Sequence, residues 1–87
     1  MRLDKFLKIS RLIRRRTLAK KVADQGRITV NGNIAKASTR LKVGDQLTIQ
    51  FAETLLTIQV KDTAEHVRKD EGNKLYEVIK EEKINHN

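Results

Sequence analysis

The residues of this chain whose type and spacing could do chemistry are its positively charged side chains. The chain of 87 residues carries 19 Lys and Arg against 11 Asp and Glu, a formal charge of +8. Residues 1–50 hold 13 of these cations with three acids and net +10, whereas residues 51–87 net −2. A solvated surface normally mixes both signs, so this segregation predicts a polyanionic partner. The alternative is a basic face that only keeps the protein soluble.

Arginine suits a phosphate-binding surface because its planar fork can hold two phosphate oxygens at once. Arg14, Arg15 and Arg16 are consecutive. At the start of a helix they would fan over about 200°, so they cannot all face one surface. Arg16 shares a helical face with Lys20 and therefore ranks above the other two. The candidate residues for binding a polyanion are Arg2, Asp4, Lys5, Lys8, Arg11, Arg14, Arg15, Arg16, Lys20, Lys21, Arg27, Lys36 and Arg40.

Asp4 is the acidic member of this basic set. A carboxylate facing a phosphate would be repelled, so we expect Asp4 to orient Arg2, Lys8 or another nearby cation, or to accept backbone N–H groups. A functional interpretation is that Asp4 accepts a hydrogen bond from a ribose or base, or holds an arginine ready for binding. The two interpretations are compatible.

Residues suited to catalysis or metal binding are scarce in the sequence. The chain has no Cys, which excludes disulfides, thiolate chemistry and Cys-based zinc sites. His66 and His86 have no second ligand at metal spacing. No P-loop, nucleophile elbow or carboxylate pair occurs. We therefore predict a non-catalytic binding module that uses no cofactor and no metal.

The aromatic residues indicate which kind of RNA such a surface would suit. Phe6, Phe51 and Tyr76 are the whole aromatic set, and Phe6 and Phe51 lie in apolar stripes typical of a core. Stacking of unpaired bases needs several exposed aromatic rings. Structured RNA, recognised through shape, phosphates and 2′-hydroxyls, is therefore favoured over a single strand.

The apolar pattern predicts the elements that carry these side chains. Helical spacing predicts helices over residues 2–9 and 15–25, the second with Leu18, Ala19, Val22 and Ala23 as its apolar stripe, and Gly26 is placed to end it. A period of two then predicts strands over residues 27–30, 33–35, 46–51 and 56–60. Asn31-Gly32 predicts a type I′ hairpin, and Gly44-Asp45 predicts another turn.

The last third of the chain has a different residue pattern, with a polar segment followed by an amphipathic one. Residues 61–72 are polar and predict a loop or linker, and residues 85–87 predict a frayed tail. The spacing of Leu75, Val78 and Ile79 predicts an amphipathic helix over residues 74–82. The prediction is an α+β protein, with two N-terminal helices on a small antiparallel sheet and a C-terminal helix. Residues 1–60 would form the RNA-binding domain, and residues 61–87 the linker, helix and tail.

Several motifs of residues 1–50 together resemble the S4-type RNA-binding domain. They are Arg2-Leu3-Asp4 near the start, a basic second helix ending at Gly26, Arg27-Ile28-Thr29-Val30-Asn31-Gly32, and Val43-Gly44-Asp45. Ile28 replaces the valine that is usual in that family. The resemblance implies the S4 fold, also called the αL motif.

Within that superfamily the chain resembles the RqcP (YabO) group of small proteins related to heat-shock protein 15. The opening Met-Arg-Leu-Asp-Lys-Phe-Leu-Lys, the run of residues 14–19 and the run of residues 23–27 carry this likeness. The resemblance implies a role in ribosome-associated quality control, on obstructed large (50S) subunits that still hold peptidyl-tRNA. The implied partners are 23S rRNA, peptidyl-tRNA and an RqcH-type factor that adds C-terminal alanine tails. The family uses arginines at the positions of Arg2 and Arg16 on RNA, and its pattern also supports a contribution from Asp4.

Two other functions fit the basic half. One is a ribosome-assembly factor or general binder of structured RNA. The other is a peripheral membrane protein with a polybasic patch, against which the second helix lacks a bulky insertion face. The absence of an apolar leader or a span of about 20 apolar residues predicts a cytoplasmic protein without membrane contact. We expect a monomer. Pseudouridine synthases carry the same domain joined to a much larger catalytic domain, which is absent from this sequence.

Overall fold

The structure is a computed structural model, and it describes residues 1–64, 68 and 70–84. The sequence predicts no metal binding at His66 and His86, and a frayed tail at residues 85–87. All of these residues lie outside the described part of the chain. The described elements are α1 (Leu3–Ile9), α2 (Arg16–Asp24), β1 (Ile28–Val30), β2 (Asn33–Ile34), β3 (Gln46–Gln50), β4 (Thr54–Val60), a 3₁₀ helix (Gly72–Leu75) and β5 (Tyr76–Lys83). The predicted α+β class, with two N-terminal helices and an antiparallel sheet, is confirmed.

The strands form one antiparallel sheet in the order β2-β1-β3-β4-β5. Its register places Ile28 beside Ile49, and Leu47 beside Ile58, so that apolar residues of neighbouring strands share a face. These four side chains are fully buried with Phe6 of α1, as its apolar spacing predicts. Ala19 and Ala23 bring α2 onto the same core. Leu18 was expected in that stripe but is 49% exposed.

Helix α1 begins without a side-chain cap, and the loop after β2 supplies the missing acceptors. The N–H of Leu3 donates to the carbonyl of Thr39 (2.8 Å), and the N–H of Asp4 donates to the carbonyl of Ala37 (3.2 Å). The first N–H groups of a helix have no partner within it, so such contacts are needed when a helix starts in the protein interior. The first residues of α1 are thereby fixed against the loop between β2 and β3.

The predicted turn motifs contact each other. Asn31 and Gly32 both have positive φ (51° and 87°), as a type I′ turn requires. The Asn31 side chain accepts a hydrogen bond from the Gln46 N–H (2.9 Å) and donates to the Asp45 carboxylate (3.1 Å). Asp45 is buried and also accepts from the Lys42 N–H (2.9 Å). The hairpin is thus tied to the turn that precedes β3.

The predicted C-terminal helix is wrong. Residues 76–83 form strand β5, which pairs with β4 from Val60–Tyr76 to Thr54–Lys83. Leu75 is buried, but Val78 and Ile79 are about half exposed, so the helical stripe does not exist. Pairing with β5 satisfies backbone groups along β4 that would otherwise form an open edge.

A β-bulge explains why the strand was not visible in the sequence. Thr57 pairs with Lys80 while Ile58 pairs with Val78, so Ile79 is an extra residue in β5. An extra residue interrupts the alternation of faces by which strands are recognised. In the sequence this leaves an i, i+3, i+4 spacing that imitates a helix.

The contact between the two turns predicts the effect of replacing Asn31. Asn31→Ala removes two hydrogen bonds near a buried carboxylate and places alanine, which tolerates the left-handed region less well than asparagine, at a positive φ, so the free energy of unfolding should fall by about 2–3 kcal/mol. Asn31→Gly loses the same hydrogen bonds without the conformational cost and should be about 1 kcal/mol less destabilising. Urea unfolding of the two variants checks both values. Wild-type stability in Asn31→Ala would contradict the role of this contact.

Candidate nucleic-acid interface

The Asp4 carboxylate lies between the guanidinium groups of Arg2 and Arg16. Arg2 Nε is 3.2 Å from Asp4 Oδ1, and Arg16 Nε is 3.2 Å from Asp4 Oδ2. The Nη2 atom of each arginine also donates to Asp4, each at 3.4 Å. Asp4 is 4% exposed, whereas the two arginine side chains are 42% and 45% exposed. One buried carboxylate therefore joins the start of α1 to the start of α2 and holds two arginines at the surface.

The contacts with Asp4 leave part of each guanidinium available. Asp4 engages the Nε–Nη2 edge of both arginines, which accounts for two of the five N–H donors of each group. The other edge, formed by Nη1 and Nη2, can take a second acceptor with a similar fork geometry. This arrangement can hold two phosphate groups beside each other.

The pKa of Asp4 reflects these neighbours. Burial raises the pKa of this carboxyl, but the hydrogen bonds from Arg16 and the Lys5 N–H, with the charges of Arg16 and Arg2, outweigh burial. The pKa of Asp4 is therefore held below its ordinary value of 3.8. The carboxylate is charged at neutral pH and offsets part of the repulsion between the two arginines.

The expectation that Asp4 orients nearby cations agrees with these contacts, although the sequence did not identify Arg16 as one of them. Asp4 and Arg16 are 12 positions apart, and no local spacing rule connects residues of two different helices at that distance. The sequence also suggests that Arg16 contributes little to stability, as exposed charges do. Its partner is buried, so the loss of Arg16 also weakens the compensation of a buried charge.

Three more candidate cations lie close to Arg2, Asp4 or Arg16, either along the chain or in the fold. Arg40 forms an antiparallel β-bridge with Arg2, which brings the backbones of the two arginines side by side. Lys20 follows Arg16 by one turn of α2, and Lys8 follows Asp4 by one turn of α1. All three are exposed. We call Arg2, Asp4, Lys8, Arg16, Lys20 and Arg40 the arginine face.

Residues 10–15 form a basic turn between the helices. Arg11, Arg14 and Arg15 are exposed. Arg11 has a positive φ of 64°, which is uncommon for a residue other than glycine. The Arg11 N–H donates to the Lys8 carbonyl (3.1 Å), and the Ile13 N–H donates to the Leu7 carbonyl (3.1 Å). The turn therefore has a defined backbone that continues directly from α1.

The remaining candidates lie elsewhere on the two helices or in the loops next to β1 and β2. Lys21 lies about 140° around α2 from Arg16. Arg27 lies just before β1, where it contacts Gln25 (3.5 Å). Lys36 is in the loop after β2, and its N–H donates to the Thr39 hydroxyl (2.9 Å). Lys5 is half-buried on α1, and its backbone N–H donates to Asp4 Oδ1 (2.8 Å).

The described part of the chain contains neither a metal-binding cluster nor a membrane-spanning helix. No group of three or more His, Asp or Glu residues there could hold a metal ion. No helix there is long and apolar enough to cross a membrane.

Comparison with known families identifies the fold that carries this face. The family model described as S4 domain matches residues 1–47, which include α1, α2 and the first hairpin. The chain belongs to the S4 domain family. A solved structure, the trimeric Heat Shock Protein 15 of Vibrio cholerae, is similar to this S4 domain protein with a TM-score of 0.81 and 30% identity. The likeness covers 90% of this chain and 80% of that one.

Curated relatives extend the similarity beyond the S4 domain to nearly the whole chain. The RQC P-site tRNA stabilizing factor of Halalkalibacterium halodurans is 63% identical over 97% of this chain and 96% of its own length. The protein of the same name from Bacillus subtilis is 58% identical over 97% of this chain and 98% of its own. These similarities confirm the resemblance that the sequence motifs indicated, and they support a role in ribosome-associated quality control.

The lowered pKa of Asp4 predicts an acid-dependent part of the stability. A carboxyl whose folded pKa is below its unfolded value stabilises the fold fully above the unfolded pKa, and this contribution is lost as the pH falls through the folded pKa. Wild-type stability should therefore decrease below about pH 4. Asp4→Asn should be less stable at pH 6, by about 1–2 kcal/mol, and should lose less on acidification. Urea unfolding at pH 6 and pH 3 measures this, with Asp24→Asn as the exposed control. An equal loss in wild type and Asp4→Asn would contradict the role of Asp4.

Proposed function

We propose that this protein is a non-catalytic RNA-binding factor of ribosome-associated quality control. It binds the obstructed large ribosomal subunit together with peptidyl-tRNA, and it supports the addition of C-terminal alanine to the stalled nascent chain by an RqcH-type factor. It acts in the cytoplasm, where it contacts 23S rRNA and tRNA through the arginine face and the basic turn.

The similarity to relatives named RQC P-site tRNA stabilizing factor is the observation that carries this proposal. It extends over 97% of the chain at 63% identity, so it includes β5 and the 3₁₀ helix as well as the S4 domain. The name indicates a bound tRNA in the P site and a role in quality control. The large subunit, the rRNA contact and the tailing step are part of the proposal.

The geometry of the arginine face supports RNA as the partner. Arg2 and Arg16 are held side by side with a free edge on each guanidinium, and Arg40 borders Arg2. Such a surface reads phosphates rather than bases, which fits a folded RNA with few accessible base edges. The aromatic residues do not form a stacking platform, because Phe6 is fully buried and Phe51 and Tyr76 are partly buried against the core.

Binding to defined ribosomal particles tests the proposed partner. The protein should sediment with purified large subunits that carry peptidyl-tRNA, and bind empty large subunits and purified duplex RNA at least tenfold more weakly. Equal affinity for duplex RNA would favour the alternative of a general structured-RNA binder or assembly factor. Sedimentation only with small subunits or translating ribosomes would contradict the proposal.

Removal of one charge from the arginine face should weaken this binding. Arg16→Ala should lower the affinity for the loaded large subunit roughly tenfold, because one charge-assisted contact to phosphate is lost. The slope of log affinity against log salt should also decrease by about one contact. Lys83→Ala removes the same charge from β5 and should change neither value.

The effect of Arg16→Ala on binding must be separated from its effect on folding. Arg16→Ala also weakens the compensation of Asp4, so its thermal unfolding is measured and binding is compared where both variants are fully folded. An equal effect of Lys83→Ala on affinity would show that binding depends only on net charge and would contradict a defined face.

A further inference from the structure

Gly72 lies against the backbone at the end of α1. A Cβ atom built on Gly72 would be 2.8 Å from the Ile9 carbonyl oxygen and 3.0 Å from the carbonyl carbon and oxygen of Ser10. Carbon–oxygen contacts in proteins are normally about 3.3 Å or longer. Only glycine fits this spacing, and the neighbouring atoms are backbone atoms that cannot rotate away. The 3₁₀ helix therefore contacts the last residues of α1 directly.

The 3₁₀ helix is itself held in place at its other end. Leu75 is 1% exposed and belongs to the hydrophobic core. Its carbonyl accepts hydrogen bonds from the N–H groups of Lys61 (2.8 Å) and Asp62 (3.3 Å), which directly follow β4. The segment cannot move outward without exposing Leu75 and breaking these bonds. The 3₁₀ helix is therefore a fixed support for the Ile9 and Ser10 backbone that packs on Gly72.

The supported backbone leads into the basic turn. Ser10 is buried, and its hydroxyl donates to the Leu7 carbonyl (3.2 Å). Arg11 follows in the left-handed region, and Ile13 is buried beyond it. The turn is thus anchored by buried Ser10 and Ile13, and Gly72 packs against the Ser10 backbone. A shift of the Ser10 backbone would be passed on to the arginines of residues 11–15.

We infer that Gly72 is a positioning residue for RNA binding, because the 3₁₀ helix supports the basic turn from behind. The inference rests on the proposed function for its effect on RNA, but the support itself is a property of the fold. The segment that supports the turn lies outside the match to the S4 family model, which ends at residue 47. The C-terminal part of the chain therefore contributes to the binding surface without supplying its cations.

A single methyl group tests this inference. Gly72→Ala must separate the 3₁₀ helix from the Ser10 backbone by a few tenths of an ångström. Since the 3₁₀ helix is anchored, we expect the basic turn to move. Affinity for large subunits that carry peptidyl-tRNA should then decrease three- to tenfold, and the salt slope should decrease by about one phosphate contact.

Gly32→Ala is the matched control. Gly32 has a positive φ of 87°, so alanine strains the hairpin, but nothing lies within 4 Å of an added Cβ. Both variants should lose stability, and only Gly72→Ala should lose affinity when the two are compared under conditions where each is fully folded. Equal affinities of Gly72→Ala and wild type would overturn the inference.

Hydrogen exchange separates this inference from the proposed function. Gly72→Ala should accelerate exchange of the Arg11 and Ile13 amides relative to the amides of β3, and Gly32→Ala should not. This result needs no RNA, so a wild-type protein that fails to bind the loaded subunit contradicts the proposed function alone. Unchanged exchange at both amides in Gly72→Ala would overturn the support by the 3₁₀ helix.

A milder pair of variants serves if Gly72→Ala does not fold. Leu75→Val loosens the anchor of the 3₁₀ helix, and Ile58→Val removes a similar volume from the core within the sheet. Leu75→Val should accelerate exchange at Arg11 and Ile13 more than Ile58→Val does. Equal exchange in the two variants would overturn the inference.

Discussion

The structure of the arginine face depends on the charge of one buried carboxylate. Asp4 comes from the first turn of α1, Arg2 precedes that helix, and Arg16 begins α2. Without Asp4 the two guanidinium groups would repel each other, and the first turns of the helices would lose their polar connection. With Asp4 in place, the three side chains carry one net positive charge, and the two guanidinium groups each present one edge to solvent. An acidic residue thus builds a surface suited to a polyanion.

The rest of the fold keeps this arrangement in place. The loop after β2 binds the first N–H groups of α1 and brings Arg40 beside Arg2. The sheet and the two helices share a core, which sets the distance between the helices. The chain therefore separates two tasks, since residues 1–50 carry the net charge of +10 and residues 51–87 contribute two strands and the support behind the basic turn.

Local patterns in the sequence were sufficient for most of the fold. Apolar spacing located both helices, and Asn31-Gly32 located the hairpin, because each of these signals depends on neighbours in the chain. The C-terminal strand was missed since the bulge at Ile79 removes the alternation that marks a strand. The site was predicted as a set of cations, but the pairing of Asp4 with Arg16 depends on the packing of two helices. The close approach of Gly72 to Ser10 is equally non-local.

The central claim is that this face binds tRNA and the large-subunit rRNA beside it. Ultraviolet cross-linking of the protein in cells, followed by sequencing of the attached RNA and identification of the attached peptides, tests it most directly. We expect the RNA sites to cluster on tRNA and on one neighbouring region of 23S rRNA, and the peptides to come from residues 1–40. Cross-links spread over messenger RNA or small-subunit rRNA, or confined to peptides from β5, would contradict it.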